Sequence, residues 1–265
     1  MPQPVGKDQR YLPGLDGLRA IAVAAVVAFH LGLGWASGGL LGVGVFFTLS
    51  GYLITDILVG QWRAARRIDL KTFWVRRARR LLPALFTVLA VVAAWVSAGF
   101  PAQFAAVRGA IVAAALYVSN WWFIAQNASY FARFGPPSPV EHLWSLAVEE
   151  QFYLLWPWVV FAGGLIASRL AGRGRQRFRV VSAGATIALA AASFIAMALM
   201  YHPGADPTRI YEGTDTRAGG LLIGAALAIA WPTRRREPAA ASAGTGAGPA
   251  ARRRSSMPAG WPACW

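Results

Sequence analysis

Seven long apolar blocks constrain this chain more tightly than any single motif. They are Leu15 to Gly34, Leu40 to Gly60, Leu81 to Phe100, Gly109 to Gln126, Leu143 to Ser168, Val180 to Tyr201 and Ala218 to Trp231. A bilayer's hydrocarbon core takes about 20 apolar residues per helical crossing, and most of the blocks reach that length, the last being short. Inside lipid every backbone polar group needs a partner, so only helices or a closed barrel can span it. No alternating strand pattern accompanies the blocks, and helices are the default. With 56% hydrophobic residues and a mean hydropathy of +0.44, the chain reads as an all-α polytopic membrane protein, a bundle of about six to seven transmembrane helices.

The formal net charge of +15 does not point to nucleic acid. The basic residues cluster beside apolar blocks rather than along an aromatic-interleaved groove. The excess of Arg and Lys in cytoplasmic loops accounts for them better. The stretch from Gln61 to Arg80 carries eight basic residues against Asp69 alone, and Arg169 to Arg179 and Arg234 to Arg236 repeat the signal. The segment Tyr201 to Thr216, with Asp206, Glu212 and Asp215 against Arg209, suits the outer side. These assignments place the amino terminus in the cytoplasm and the protein in the plasma or inner membrane. They also conflict in parity, because three blocks separate two loops that should share a side. One block, Gly109 to Gln126 with its polar Ser119 and Asn120, is therefore expected to be re-entrant or interfacial. Asp16 and Arg19 interrupt the start of the first block and no cleavage site follows it, so it reads as an anchor rather than a signal peptide. Cys264 is the only cysteine, which excludes an internal disulfide or a cysteine metal site. Residues 1–232 form the expected membrane domain. Residues 233–265, rich in Ala, Gly, Pro, Ser and Arg, cannot bury a core and are expected to be disordered. They end in GWPACW without another apolar block, as a truncated or frame-shifted product would.

Ionisable residues at bilayer depth cost about 2.5 to 3.5 kcal/mol on insertion scales and mark functional candidates. Glu149 and Glu150 stand inside HLWSLAVEEQFYLLWP, with Ser145, Gln151 and Tyr153 as further polar contacts. The two glutamates project about 100° apart, so one is free to face a cavity while the other reaches an interface or an arginine such as Arg217. Arg19 and His30, eleven residues apart, share one helix stripe with about 16 Å of rise between them. Histidine is the side chain best poised to exchange a proton near neutral pH, which suits His30 to general-base work; the bland reading is a histidine satisfied by a backbone carbonyl. Arg19 has Asp16 three residues away as an ordinary partner. Gly38, Gly39, Gly42, Gly44 and Gly51 read as packing glycines or as a ligand's passage, and Ser50 as a hydroxyl bonded to its own helix. In RRARRLLPAL, four arginines stand where a loop enters the third block, with Pro83 suited to its first turn. Arg76, Arg77, Arg79 and Arg80 offer either a fork for a phosphorylated donor or ordinary contact with anionic lipid.

Together, LDGLRAIAVAAVVAFH, GGLLGVGVFFTLSG, RRARRLLPAL, HLWSLAVEEQFYLLWP and TDTRAGGLLIGAALA closely resemble membrane-bound acyltransferase family 3, bacterial enzymes that O-acylate surface sugars. The resemblance runs in order from about Tyr11 to Ala230. It implies transfer of an acyl group, often acetyl, from cytoplasmic acyl-CoA to a hydroxyl of a glycan or lipid-linked sugar, with no metal. Arg19 and His30 match the family's Arg-x10-His pair, and the arginines from Arg76 to Arg80 its motif thought to meet the CoA phosphates. Ser145, Glu149, Gln151, Phe152 and Tyr153 match the Ser-Leu-x-x-Glu-x-Gln-Phe-Tyr motif, and Arg217 the Thr-Asp-x-Arg element. The implied catalytic residues are His30 and Glu149, with Arg19, Arg76, Arg77, Arg79 and Arg80 binding the acyl-CoA and Ser50, Ser145, Gln151, Tyr153 and Arg217 in support. Gly44 stands where the family commonly has Asp. The family has about ten spans and often an extracytoplasmic esterase-like domain, so this chain resembles a partial member. Intramembrane Arg, His and Glu would equally serve a small-molecule or sugar transporter, and an inactive truncated relative is a third alternative.

Overall fold

In the computed structural model, which describes residues 13–131, 138–169 and 175–232, the apolar blocks become helices. They are α1 (Pro13–His30), α2 (Leu41–Ala65), α3 (Leu70–Gly99), α4 (Pro101–Ala115), α5 (Ser119–Ala125), α6 (Leu143–Arg169), α7 (Arg175–Met200), α8 (Thr208–Glu212) and α9 (Thr214–Ala230). The stretches Leu41–Ala65, Leu70–Gly99, Leu143–Arg169 and Arg179–Met200 are long and apolar enough to cross a membrane. The described residues contain no strand. The tail expected from residue 233 lies outside them.

Three expected boundaries move, each for a local reason. The third helix begins at Leu70 rather than Leu81, because the Asp69 side chain accepts the Thr72 amide at 3.0 Å and caps it. Consequently Arg76 to Arg80 lie within a helix rather than in a loop, and Pro83 sits mid-helix rather than in a first turn. The block from Gly109 to Gln126 is not one span. It breaks between α4 and α5 at Tyr117, whose φ of 56° ends regular helix. The last helix starts at Thr214, four residues before its apolar block.

Between lipid-solvated helices there is little apolar gain from association, so close backbone approach carries the packing. α9 lies between α2 and α7 and is the place where this is clearest. A Cβ at Gly51 would fall onto the Leu221 carbonyl, and one at Gly224 onto the Thr48 carbonyl, so each helix sinks into the other at a glycine. Ser193 of α7 secures the opposite side: its hydroxyl donates to the Asp215 carbonyl at 2.5 Å and accepts the Gly219 amide at 2.9 Å. α6 joins the core through Trp156, whose indole N–H donates to the buried Thr55 hydroxyl of α2 at 2.7 Å. Trp62 lies flat against Gly164 and edge-on to Phe161. The outer faces of α3 and α7 expose Val88, Val91, Trp95, Val181, Ile187 and Leu189, as lipid-facing helices do.

Candidate functional site

The acidic pair on α6 divides its labour as the 100° separation requires. Glu149 Oε1 accepts the Ser50 hydroxyl of α2 at 2.9 Å. Glu150 Oε1 accepts Arg77 Nε of α3 at 2.8 Å. The Arg77 guanidinium also lies 3.4 Å from the centre of the buried Tyr153 ring, a cation–π contact in a largely water-free setting. Trp74 Nε1 donates to the Tyr153 carbonyl at 3.1 Å and fixes the same α3–α6 contact. Ser50 therefore bonds across helices and not to its own, against the expectation for a lone serine.

Arg77 parts company with its neighbours. Arg76, Arg79 and Arg80 are exposed, whereas Arg77 is turned into the bundle and already carries a carboxylate. The arginine that meets the acidic pair is thus Arg77 and not Arg217. Arg217, in the first turn of α9, instead donates Nε to the Tyr211 carbonyl at 2.7 Å and covers that ring at 4.1 Å.

His30, at the carboxy-terminal end of α1, has both ring nitrogens engaged. Nδ1 lies 2.8 Å from the Val26 carbonyl and Nε2 lies 3.1 Å from the Tyr130 hydroxyl. A carbonyl can only accept, so the proton of the neutral ring resides on Nδ1. Nε2 then presents its lone pair to Tyr130. A backbone carbonyl satisfies one nitrogen, as the bland reading expects, and the other faces a tyrosine hydroxyl. Arg19, on the same stripe, lies 3.7 Å from Asp16.

Tyr130 is itself held firmly. Its amide donates to the Thr208 hydroxyl at 2.8 Å, and that hydroxyl donates to Asp206 at 2.6 Å. Its ring lies 5.0 Å from Tyr211 and 6.2 Å from Trp144, and Trp144 lies 4.8 Å from Tyr211. Burial, and after it the His30 imidazole, hold the His142 pKa below its ordinary value. Ser145 spends its hydroxyl on the His142 carbonyl at 3.3 Å.

Gln151 ties three elements together. Nε2 donates to the Tyr117 carbonyl at 2.8 Å and to Asn120 Oδ1 at 3.0 Å. Oε1 accepts the Thr214 hydroxyl at 2.6 Å and Trp121 Nε1 at 3.3 Å. Fully buried Asn120 completes the network by donating to Thr214 Oγ1 and to the Glu212 carbonyl. Tyr130, Trp144, Tyr211, Asn120 and Glu212 were not singled out as site residues from the sequence. Tyr130 and Glu212 stand in short connections without periodicity, and no local pattern marks them.

The sequence matches the family model described as an acyltransferase domain over residues 12–248. It is similar to the peptidoglycan O-acetyltransferase OatA of Listeria monocytogenes, 48% identical over 230 residues that cover 87% of this chain and 36% of that protein. It is also similar to the putative peptidoglycan O-acetyltransferase YrhL of Bacillus subtilis, 46% identical over 226 residues, covering 85% and 34%. The O-acetyltransferase OatA of Staphylococcus aureus is 43% identical over 226 residues, covering 84% and 35%. The chain spans about a third of the length of these curated relatives. No solved structure matches it. A family match over nearly all of its length, on a helical multi-pass membrane fold, means that the chain belongs to membrane-bound acyltransferase family 3.

Proposed function

We propose that this chain transfers an acyl group, acetyl in the first instance, from an acyl-CoA donor to a hydroxyl of a cell-wall or lipid-linked carbohydrate. The observation that carries the reading is the His30 geometry, an imidazole whose Nδ1 proton is committed to the Val26 carbonyl and whose Nε2 meets a hydroxyl at 3.1 Å. An imidazole so arranged can take the proton from an acceptor hydroxyl as that oxygen attacks the acyl carbonyl. The new carbon–oxygen bond replaces the carbon–sulfur bond of the thioester. CoA leaves as the thiol, carrying the proton that His30 received.

The exposed Arg76, Arg79 and Arg80 supply cations for the donor's phosphates, while Arg77 holds Glu150 and thereby seats α3 on α6. Glu149, anchored by the Ser50 hydroxyl, is the carboxyl assigned to orienting or charging His30. Arg19 adds a further cation for the donor, and Ser145, Gln151, Tyr153 and Arg217 act in support, orienting the backbone around these groups. With the amino terminus in the cytoplasm, the arginines would line the side on which CoA is found, and the chain would reside in the cytoplasmic membrane. The named activities of the relatives, all O-acetyltransferases and two of them assigned to peptidoglycan, favour acetyl and a cell-wall glycan.

The test is acyl transfer from labelled acetyl-CoA into membrane glycans by cells expressing the chain, beside His30→Ala. Removal of a general base costs about 10² to 10⁴ in rate, so label should be lost from the variant while its membrane insertion is kept. Equal labelling by both proteins removes His30 from the chemistry.

A further inference from the structure

Buried polar side-chain atoms almost always find partners, so a buried cluster without them asks for an occupant. Glu212, the last residue of α8, is 1% exposed, and both of its carboxyl oxygens lack a hydrogen-bond partner. The neighbouring Tyr211 hydroxyl is buried without a partner as well. Ser138, in the turn that leads into α6, has a second such hydroxyl. The start of α6 meets the 206–212 segment, because the Trp144 ring lies 4.8 Å from that of Tyr211, and the Glu141 and Asp206 carboxyls act on Glu212 through space. This place adjoins the reactive corner, because the Tyr211 ring lies 5.0 Å from Tyr130, whose hydroxyl meets His30 Nε2.

We propose that Glu212 and Tyr211 form a carbohydrate-binding subsite beside His30, their unpartnered oxygens receiving hydroxyl groups of the acceptor sugar. The assignment rests on the acyl-transfer reading for the word acceptor, but not for the binding itself. The chemistry of the orphaned atoms selects the ligand class. Tyr211 and Ser138 offer O–H donors as well as acceptors, and the Glu212 carboxyl, kept protonated by its burial, likewise donates through one oxygen and accepts through the other, so the matching groups must both donate and accept. Sugar hydroxyls do both, whereas a metal ion or an ammonium group serves acceptors alone. Among the described residues, no group of three or more His, Cys, Asp or Glu side chains is disposed to hold a metal ion. Trp144, 4.8 Å from the Tyr211 ring, adds an aromatic face of the kind that packs against a sugar's C–H surface.

The experiment is a binding titration of chitotetraose against the full chain in nanodiscs, read by intrinsic tryptophan fluorescence and requiring no turnover. Wild type should bind saturably. Glu212→Leu, which keeps bulk and removes both oxygens, should weaken binding about tenfold, the scale of a lost buried hydrogen-bonded group. Glu212→Gln, whose amide still donates and accepts, should stay within about threefold, and Tyr211→Phe should fall between the two. Each variant is compared only after its Tm and gel-filtration profile show it folded; if Glu212→Leu fails this, Tyr211→Phe decides alone. Undiminished binding by Glu212→Leu, or by Tyr211→Phe where it decides, would overturn the subsite, as would a folded wild type that binds no saccharide. Saturable, Glu212-dependent binding in a chain that transfers no label from acetyl-CoA would leave the subsite standing and remove the transferase reading instead.

Discussion

At the scale of single residues, Glu212 makes the strongest demand on its surroundings. Burial, reinforced by the nearby Glu141 and Asp206 carboxyls, pushes its pKa up to about 8 from the ordinary 4.5. The folded protein therefore keeps a proton that the unfolded chain has already released. The associated stability is complete below about pH 4.5, declines as pH rises from there, and is gone once the folded carboxyl ionises near pH 8. Asp206 works in the opposite direction and elsewhere: burial raises its pKa, but the Thr208 and Ser129 hydrogen bonds outweigh that and leave it lowered, so its contribution fades only in acid. A thermal-unfolding series in detergent between pH 5 and pH 9 should show Tm falling with pH for wild type. The slope should be shallower in Glu212→Gln, and an unchanged slope would show that the carboxyl is not the titrating group. Very little of this was legible in the sequence, where Glu212 is one acidic residue in an acidic outer segment. Its setting includes Asn120, which bonds its backbone carbonyl, and the Glu141 carboxyl, about 92 and 71 positions away and brought to it only by the fold.

Among elements, the α2–α9 contact decides the packing. Gly51→Ala or Gly224→Ala places a methyl on a facing carbonyl, forces the helices apart and should cost about 1 to 3 kcal/mol, as overpacking does. Gly44→Ala, on the same α2 helix but with open space around its Cβ, is the matched control and should hold or raise Tm, since Ala favours helix by up to about 1 kcal/mol over Gly. Detergent melting curves of the three variants check both signs. The glycine-rich stretch was readable as close packing, but nothing in it says which glycine meets a helix about 170 residues later. The acidic pair was more legible, because its 100° divergence follows from helical geometry alone and requires two different partners. Their identities, Ser50 and Arg77, were not, since Arg77 sits among four arginines and only the start of α3 at Asp69 rotates it inward.

For the whole molecule, the helical membrane architecture followed from the lengths of the apolar blocks, and the one block flagged by its charge parity is the one that proves to be broken. The orientation argued from the basic loops has a direct check. In a Cys264→Ala background, a cysteine placed at Ala205 should react with a membrane-impermeant thiol reagent added to intact cells, and one placed at Ala64 should react only after lysis. The reverse pattern would invert the proposed topology. The break itself has a property that concerns motion. At Tyr117 the chain leaves helical geometry, and its freed carbonyl is caught by Gln151, whose two N–H bonds and two acceptor positions are all taken. A side chain with every valence committed admits a single orientation, because a rotated amide would set oxygen against oxygen at Tyr117 and Asn120. The interruption between α4 and α5 is therefore a welded joint rather than a hinge, and any bending of the bundle must pivot somewhere else.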